Sequence, residues 1–95
     1  MPRSPQSEPA TDGVAAVDRA LAIVDAVAQH TDPITLADLS RATGFYKSTL
    51  LRLIASLEKA ALVMRRPDGR YALGPYAYRL GRAYETTYRL TETVQ

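Results

Sequence analysis

Between Thr35 and Ala61 the chain carries two helical leucine patterns separated by one glycine, a stretch that folds most simply as two short helices meeting at a tight turn. In "TLADLSRATG" Thr35 stands where a helix N-cap is needed. Asp38 follows three residues later in capping-box spacing, a shorter substitute for the usual glutamate. Leu36 and Leu39 point inward, and Gly44 suits the left-handed residue that ends a helix. After Phe45 and Tyr46 a second pattern opens at Lys47, where Leu50, Leu53, Ile54, Leu57 and Ala61 fall on one face. Two helices joined by a three- or four-residue turn containing glycine form a helix-turn-helix.

The flanking segments complete a larger unit. Residues 1–13 hold three prolines in the first nine positions and almost nothing apolar, which predicts a disordered tail. A first helix is expected from Val14 to His30, with Asp12 as its N-cap and His30 at the end that favours positive charge. Val14, Val17, Leu21, Val24 and Ala28 make one apolar stripe, and Ala16, Ala20, Ile23 and Val27 a second beside it. Downstream, Pro67-Asp68-Gly69 predicts a turn between two short strands, with Tyr71 and Leu73 on one face. Pro75 then opens a last helix from Tyr76 to about Leu90, with Tyr76, Leu80, Ala83, Thr87 and Leu90 on its inner face and Tyr84 beside them. Gly81 weakens that helix unless another backbone approaches there. The predicted fold is mainly α, a winged helix-turn-helix: three helices, a β-hairpin wing and a C-terminal linker helix. The division is a tail at 1–13, the winged domain at 14–74 and the linker at 75–95.

Charge is unevenly spread along this order. Residues 14–45 carry a net −2, whereas residues 46–90 carry nine basic side chains against three acidic ones, a net +6. A basic half in a chain of net +2 points to an anionic partner. The third helix opens with Lys47, Ser48, Thr49 and Arg52, and these side chains suit a helix lying in a DNA major groove. Arg52 can pair bidentately with guanine, the hydroxyls can meet phosphate or base, and Lys47 suits a phosphate at the helix N-terminus. Leu51 lies on the flank of this helix, where it can touch a thymine methyl or be spill-over from the core. The plainer alternative for Ser48, Thr49 and Arg52 is first-turn amide capping and a solvated guanidinium. Arg66 and Arg70 flank the hairpin tip and suit phosphates or the adjacent minor groove. Thr35 can present backbone N–H groups to a phosphate while capping its helix.

Other functions find little support. With no cysteine and one histidine there is no thiolate site and no histidine cluster, and the five glycines form no phosphate loop. No nucleophile is tied to His30 by a motif, so the expectation is no enzymatic activity, no metal and no cofactor. No apolar run approaches the length of a membrane span, and the cysteine-free composition fits the cytoplasm.

The motifs "VDRALAI", "TLADLSRATG", "KST" followed after two residues by "RL", and "DGRYALG", in this order, resemble the N-terminal DNA-binding domain of IclR-type bacterial transcriptional regulators. The resemblance covers roughly residues 14–90. It implies a repressor or activator that binds double-stranded DNA at a short palindrome as a homodimer. Lys47, Ser48, Thr49 and Arg52 fall on the family's recognition-helix pattern, and Gly69, Arg70 and Tyr71 on its wing. Tyr46 stands where the family often has proline or serine, and as a candidate recognition residue it can contact a sugar or simply pack; Leu51 stands where the family often has a polar or aromatic contact residue, and Ala61 where it often has glycine. Family members continue into a domain that senses a small molecule, so the 95-residue chain is expected to be a fragment, with any effector bound outside it. Ile23 and Val27 on the first helix and Tyr84 on the last are the candidate dimer contacts, with packing inside the domain as the alternative. The rival functions are a winged helix that binds protein, and a non-specific nucleic-acid-binding protein.

Overall fold

The computed structural model describes residues 8–94, and the side chains of residues 15–88. The elements run α1 (Glu8–Ala28), α2 (Leu36–Thr43), α3 (Lys47–Lys59), β1 (Val63–Arg65), β2 (Tyr71–Leu73) and α4 (Pro75–Val94). This is the winged helix-turn-helix expected from the sequence.

Helix α1 begins six residues before the expected Val14, so residues 8–13 are helical and Asp12 lies inside the helix instead of capping it. Proline at position 9 is compatible with this, because a first-turn residue has no intrahelical partner for its N–H. At the other end, His30 Nδ1 lies 2.7 Å from the carbonyl oxygen of Ala26, satisfying a last-turn acceptor.

The turn between α2 and α3 is fixed by side chains as well as by glycine. Thr35 Oγ1 accepts a hydrogen bond from the Asp38 amide at 3.0 Å, and the Asp38 carboxylate pairs with Arg41 one turn on. Gly44 is left-handed at φ 79°, and its amide donates to the Ser40 carbonyl at 2.8 Å. The Ser40 hydroxyl then donates to the Phe45 carbonyl at 2.7 Å, and the Phe45 amide donates to Thr43 Oγ1 at 3.2 Å. Backbone groups that the turn strips from both helices are thereby repartnered.

Ile23, Val27, Ile34, Leu39, Leu50, Leu53, Ile54, Leu57, Val63 and Tyr71 form the core, drawing on α1, α2, α3, the hairpin and the loop before α2. The broad α1 arc is therefore covered along one edge only. Ile23 and Val27 are 0% and 4% exposed, whereas Val17 and Leu21 of the first stripe are more than half exposed. Periodicity finds an apolar arc but does not say which edge of a broad one is covered. Burial also removes Ile23 and Val27 from the dimer contacts, since a partner subunit cannot reach side chains enclosed by their own domain.

The hairpin pairs Val63 with Leu73, Met64 with Ala72 and Arg65 with Tyr71. A further, isolated rung, which no turn signal in the sequence marks, joins Ile34 to Tyr71 through reciprocal hydrogen bonds of 2.9 and 2.8 Å. It ties the wing to the loop that leads into α2. Tyr71 is buried, but Leu73, expected on the same face, is exposed.

Helix α4 is the largest departure from expectation. Among the described side chains Tyr76 and Ala77 at its start are half-buried, whereas Tyr78 to Tyr88 are exposed throughout, including Leu80, Ala83 and Thr87 of the expected inner face and Tyr84 beside it. The Leu90 side chain lies outside those described. The helix is supported locally by Arg79 over the Tyr76 ring at 5.3 Å, by a 3.0 Å bond from Arg82 to the Tyr78 hydroxyl, and by stacking of Tyr84 on Tyr88.

Candidate nucleic-acid interface

The covered and open sides of α3 divide sharply. Leu50, Leu53, Ile54 and Leu57 are buried, and the helix is thereby fixed in orientation. The open side shows two adjacent rows at four-residue spacing. One is Lys47, Leu51, Ala55 and Lys59, and the other is Ser48, Arg52 and Ser56, all exposed. Thr49 is half-buried at the edge.

The N-terminus of α3 differs from that of α2. Tyr46 occupies the N-cap without a side-chain cap bond, and no acidic residue stands in the first turn. The positive end of the helix is therefore uncompensated by the chain itself and bordered by Lys47. The Tyr46 ring projects beside it, 83% exposed. At α2 the Thr35 hydroxyl accepts from the Asp38 amide and the Thr35 carbonyl from the Leu39 amide, so the donors that Thr35 can offer outward are its own amide and its hydroxyl proton.

The wing is rigid at its tip. Gly69 donates to the Arg66 carbonyl at 2.8 Å, the Arg66 amide donates to the Arg70 carbonyl at 2.7 Å, and the Arg70 amide donates to Asp68 Oδ1 at 3.0 Å. Gly69 takes φ 87°, the left-handed geometry that closes a hairpin after a four-residue turn. Arg66 and Arg70 thus face each other across the strand ends, both exposed, with Arg65 also exposed one residue inward. Arg65 was visible as part of the basic hairpin but was not singled out from the sequence.

The expected recognition residues Tyr46, Lys47, Ser48, Leu51 and Arg52 are thus brought together on one open face, with Thr49 at its margin. Of the expected dimer contacts only Tyr84 is open, at 70% exposure. Among the described residues no group of three or more His, Cys, Asp or Glu side chains is arranged to hold a metal ion, and no helix is long and apolar enough to cross a membrane.

Three helices, the second and third meeting at a left-handed glycine, followed by a basic two-stranded hairpin, define the winged helix-turn-helix class. Within that class the chain belongs to the IclR helix-turn-helix domain family, whose pattern matches residues 16–67. The repressor BlcR of Agobacterium tumefaciens is similar at 30% identity and a TM-score of 0.68, over 81% of this chain and 31% of that one. An IclR transcriptional regulator from Alicyclobacillus acidocaldarius is similar at 31% identity and 0.67, over 72% of this chain and 28% of that one. The chain therefore spans about a third or less of these regulators. A fainter likeness, 28% identity and 0.52 over 75% of this chain and 21% of the other, is to an O-methyltransferase of neocarzinostatin biosynthesis. None of the curated proteins matches the chain significantly.

Proposed function

We propose that this domain binds double-stranded operator DNA in a sequence-specific manner as part of a transcriptional regulator. The observation that carries the reading is the open face of α3, where Lys47, Ser48 and Arg52 stand in solvent on a helix locked from behind by four buried side chains. In this reading Arg52 contacts a base edge and Lys47 a phosphate. Ser48, Thr49 and Tyr46 line the groove wall, and Arg66 and Arg70 grip the flanking backbone. Thr35 supports α2 and offers its amide end to a phosphate.

The domain acts as a homodimer on a palindrome, with half-sites about 10 bp apart or a multiple of that. Exposed apolar side chains support this: Val17 and Leu21 on α1, and Leu80, Tyr84 and Tyr88 on α4, are 46–70% exposed in the protomer. Effector sensing is assigned to residues outside this domain, and the role is a cytoplasmic one without catalysis.

Selection from a randomised duplex pool, followed by titration of the winner and a scrambled duplex at several salt concentrations, tests the reading. A palindromic winner with a large preference over scrambled DNA is expected. A second reading is a winged domain that binds protein through its exposed apolar side chains. It predicts no enrichment and binding that ignores salt.

A further inference from the structure

The open face of α3 contains an apolar element that phosphate binding does not need. Leu51 is 50% exposed and lies outside the buried core. Ala55 is exposed one turn further along the same row, and Lys47 and Lys59 close the row at either end. A solvated face would not favour leucine at its centre, and a protein-docking face would not be bracketed by lysines and bordered by Ser48, Arg52 and Ser56. Basic ends fit phosphates, and an apolar middle fits the one apolar group that a base pair presents in the major groove, the thymine C5-methyl.

We propose that Leu51 and Ala55 read the C5-methyl groups of two thymines in each half-site, so that the operator is selected for methyl groups as well as for hydrogen bonds. The inference rests on the DNA-binding reading above. Four residues of helix advance about 6 Å, and base pairs about 3.4 Å, so the two methyls lie about two base steps apart. The neighbouring Ser48, Arg52 and Ser56 row addresses the polar edges beside them. Because 5-methylcytosine carries the same methyl at the same ring position, it supplies the apolar contact wherever the paired purine is tolerated.

The test uses the selected duplex with each thymine replaced in turn by deoxyuridine, which removes only the methyl. The parent chain is expected to lose about fourfold in affinity for the methyl under Leu51 in each half-site, the cost of exposing one methyl-sized group. Leu51→Ala, at an exposed position whose folding is verified by its melting temperature, is expected to bind thymine and uracil duplexes equally at that position. No loss at any thymine, or a loss that persists undiminished in Leu51→Ala, overturns the inference while leaving specific DNA binding intact. A parent chain that selects no site overturns the DNA-binding reading itself, and this inference with it.

Discussion

Gly74 lies so close to the backbone of Ala61 that a Cβ added to it would sit 2.3 Å from the Ala61 carbonyl oxygen. That oxygen accepts the Tyr76 amide at 2.9 Å, while Gly74 itself donates to Leu62 at 2.9 Å. Ala61 is in turn left-handed, at φ 61°, the one non-glycine residue with positive φ among those described. Its amide donates to Glu58 and that of Leu62 to Leu57, at 2.9 and 3.0 Å, the paired bonds of a Schellman ending. The end of the recognition helix, the root of the wing and the start of α4 are therefore one backbone junction.

Two substitutions at that junction should move stability in opposite directions. Ala61→Gly relieves a left-handed alanine and is expected to stabilise the domain by about 1 kcal/mol. Gly74→Ala forces a backbone shift, since its neighbour is main chain, and should cost ~3 kcal/mol. Thermal melts read both, at about 4–8 °C per kcal/mol for a domain this small. A Gly74→Ala variant as stable as the parent would contradict the junction.

Thr35 has two proposed duties, and they separate. Thr35→Ala should cost about 1 kcal/mol of stability by removing the cap on the Asp38 amide, and Thr35→Ser should restore it. If the phosphate contact is made by backbone amides, both variants bind DNA as the parent does at temperatures well below their melting points. A binding defect in the alanine variant that the serine variant restores would assign the contact to the hydroxyl.

Arg52 and the wing arginines should fail differently. Arg52→Ala is expected to lose ~1–3 kcal/mol on the selected duplex and little on scrambled DNA, so that its preference relaxes at one base position. Arg66→Ala and Arg70→Ala should weaken every duplex alike, each lowering the salt slope by about 1. Affinity measured on both duplexes across a salt series checks the division. An Arg52→Ala variant with unaltered preference would remove α3 from the groove.

The dimer prediction follows from what α4 and α1 leave uncovered. Leu21→Glu and Tyr84→Glu each put a charge on an exposed apolar position, so the fold of the protomer should survive while the dimer is lost. The parent's melting temperature should rise with protein concentration and that of the variants should not, because association stabilises only the associated state. Sedimentation gives the masses directly. A parent chain that sediments as a monomer at all concentrations would leave those apolar faces to a different partner.

What the sequence disclosed follows from how local each signal is. Leu36, Leu39, Thr35 and Gly44 lie within ten residues of one another, and the cap, the buried face and the left-handed stop all stand where their spacing put them. The recognition helix was equally legible, because Lys47 follows the turn directly and its leucines recur at a strict helical period. The failures concern partners distant in the chain. Which edge of the α1 arc is buried depends on where α3 and the hairpin pack, so spacing alone leaves open that Ile23 and Val27 are enclosed and Val17 and Leu21 exposed. The Ile34–Tyr71 rung joins residues 37 apart, with two helices and a strand between them, so no local turn announces it. Helix α4 repeats its apolar residues as a packed helix would, and periodicity does not distinguish a helix facing its own domain from one that leaves it.

Gly81 bears on that last point. A Cβ there meets nothing within 4 Å, so among the described residues glycine has no steric reason to be present and weakens a helix that is largely exposed. Gly81→Ala should therefore raise helicity at 222 nm and stabilise α4 by about 0.5–1 kcal/mol. If dimer contacts run through Leu80 and Tyr84 alone, a firmer α4 also tightens the dimer, because less order is lost on association. If the dissociation constant instead rises, a partner backbone must approach Gly81 closely enough to exclude a methyl group. The two outcomes, read by sedimentation on the same variant, distinguish a side-chain interface from a close helix crossing.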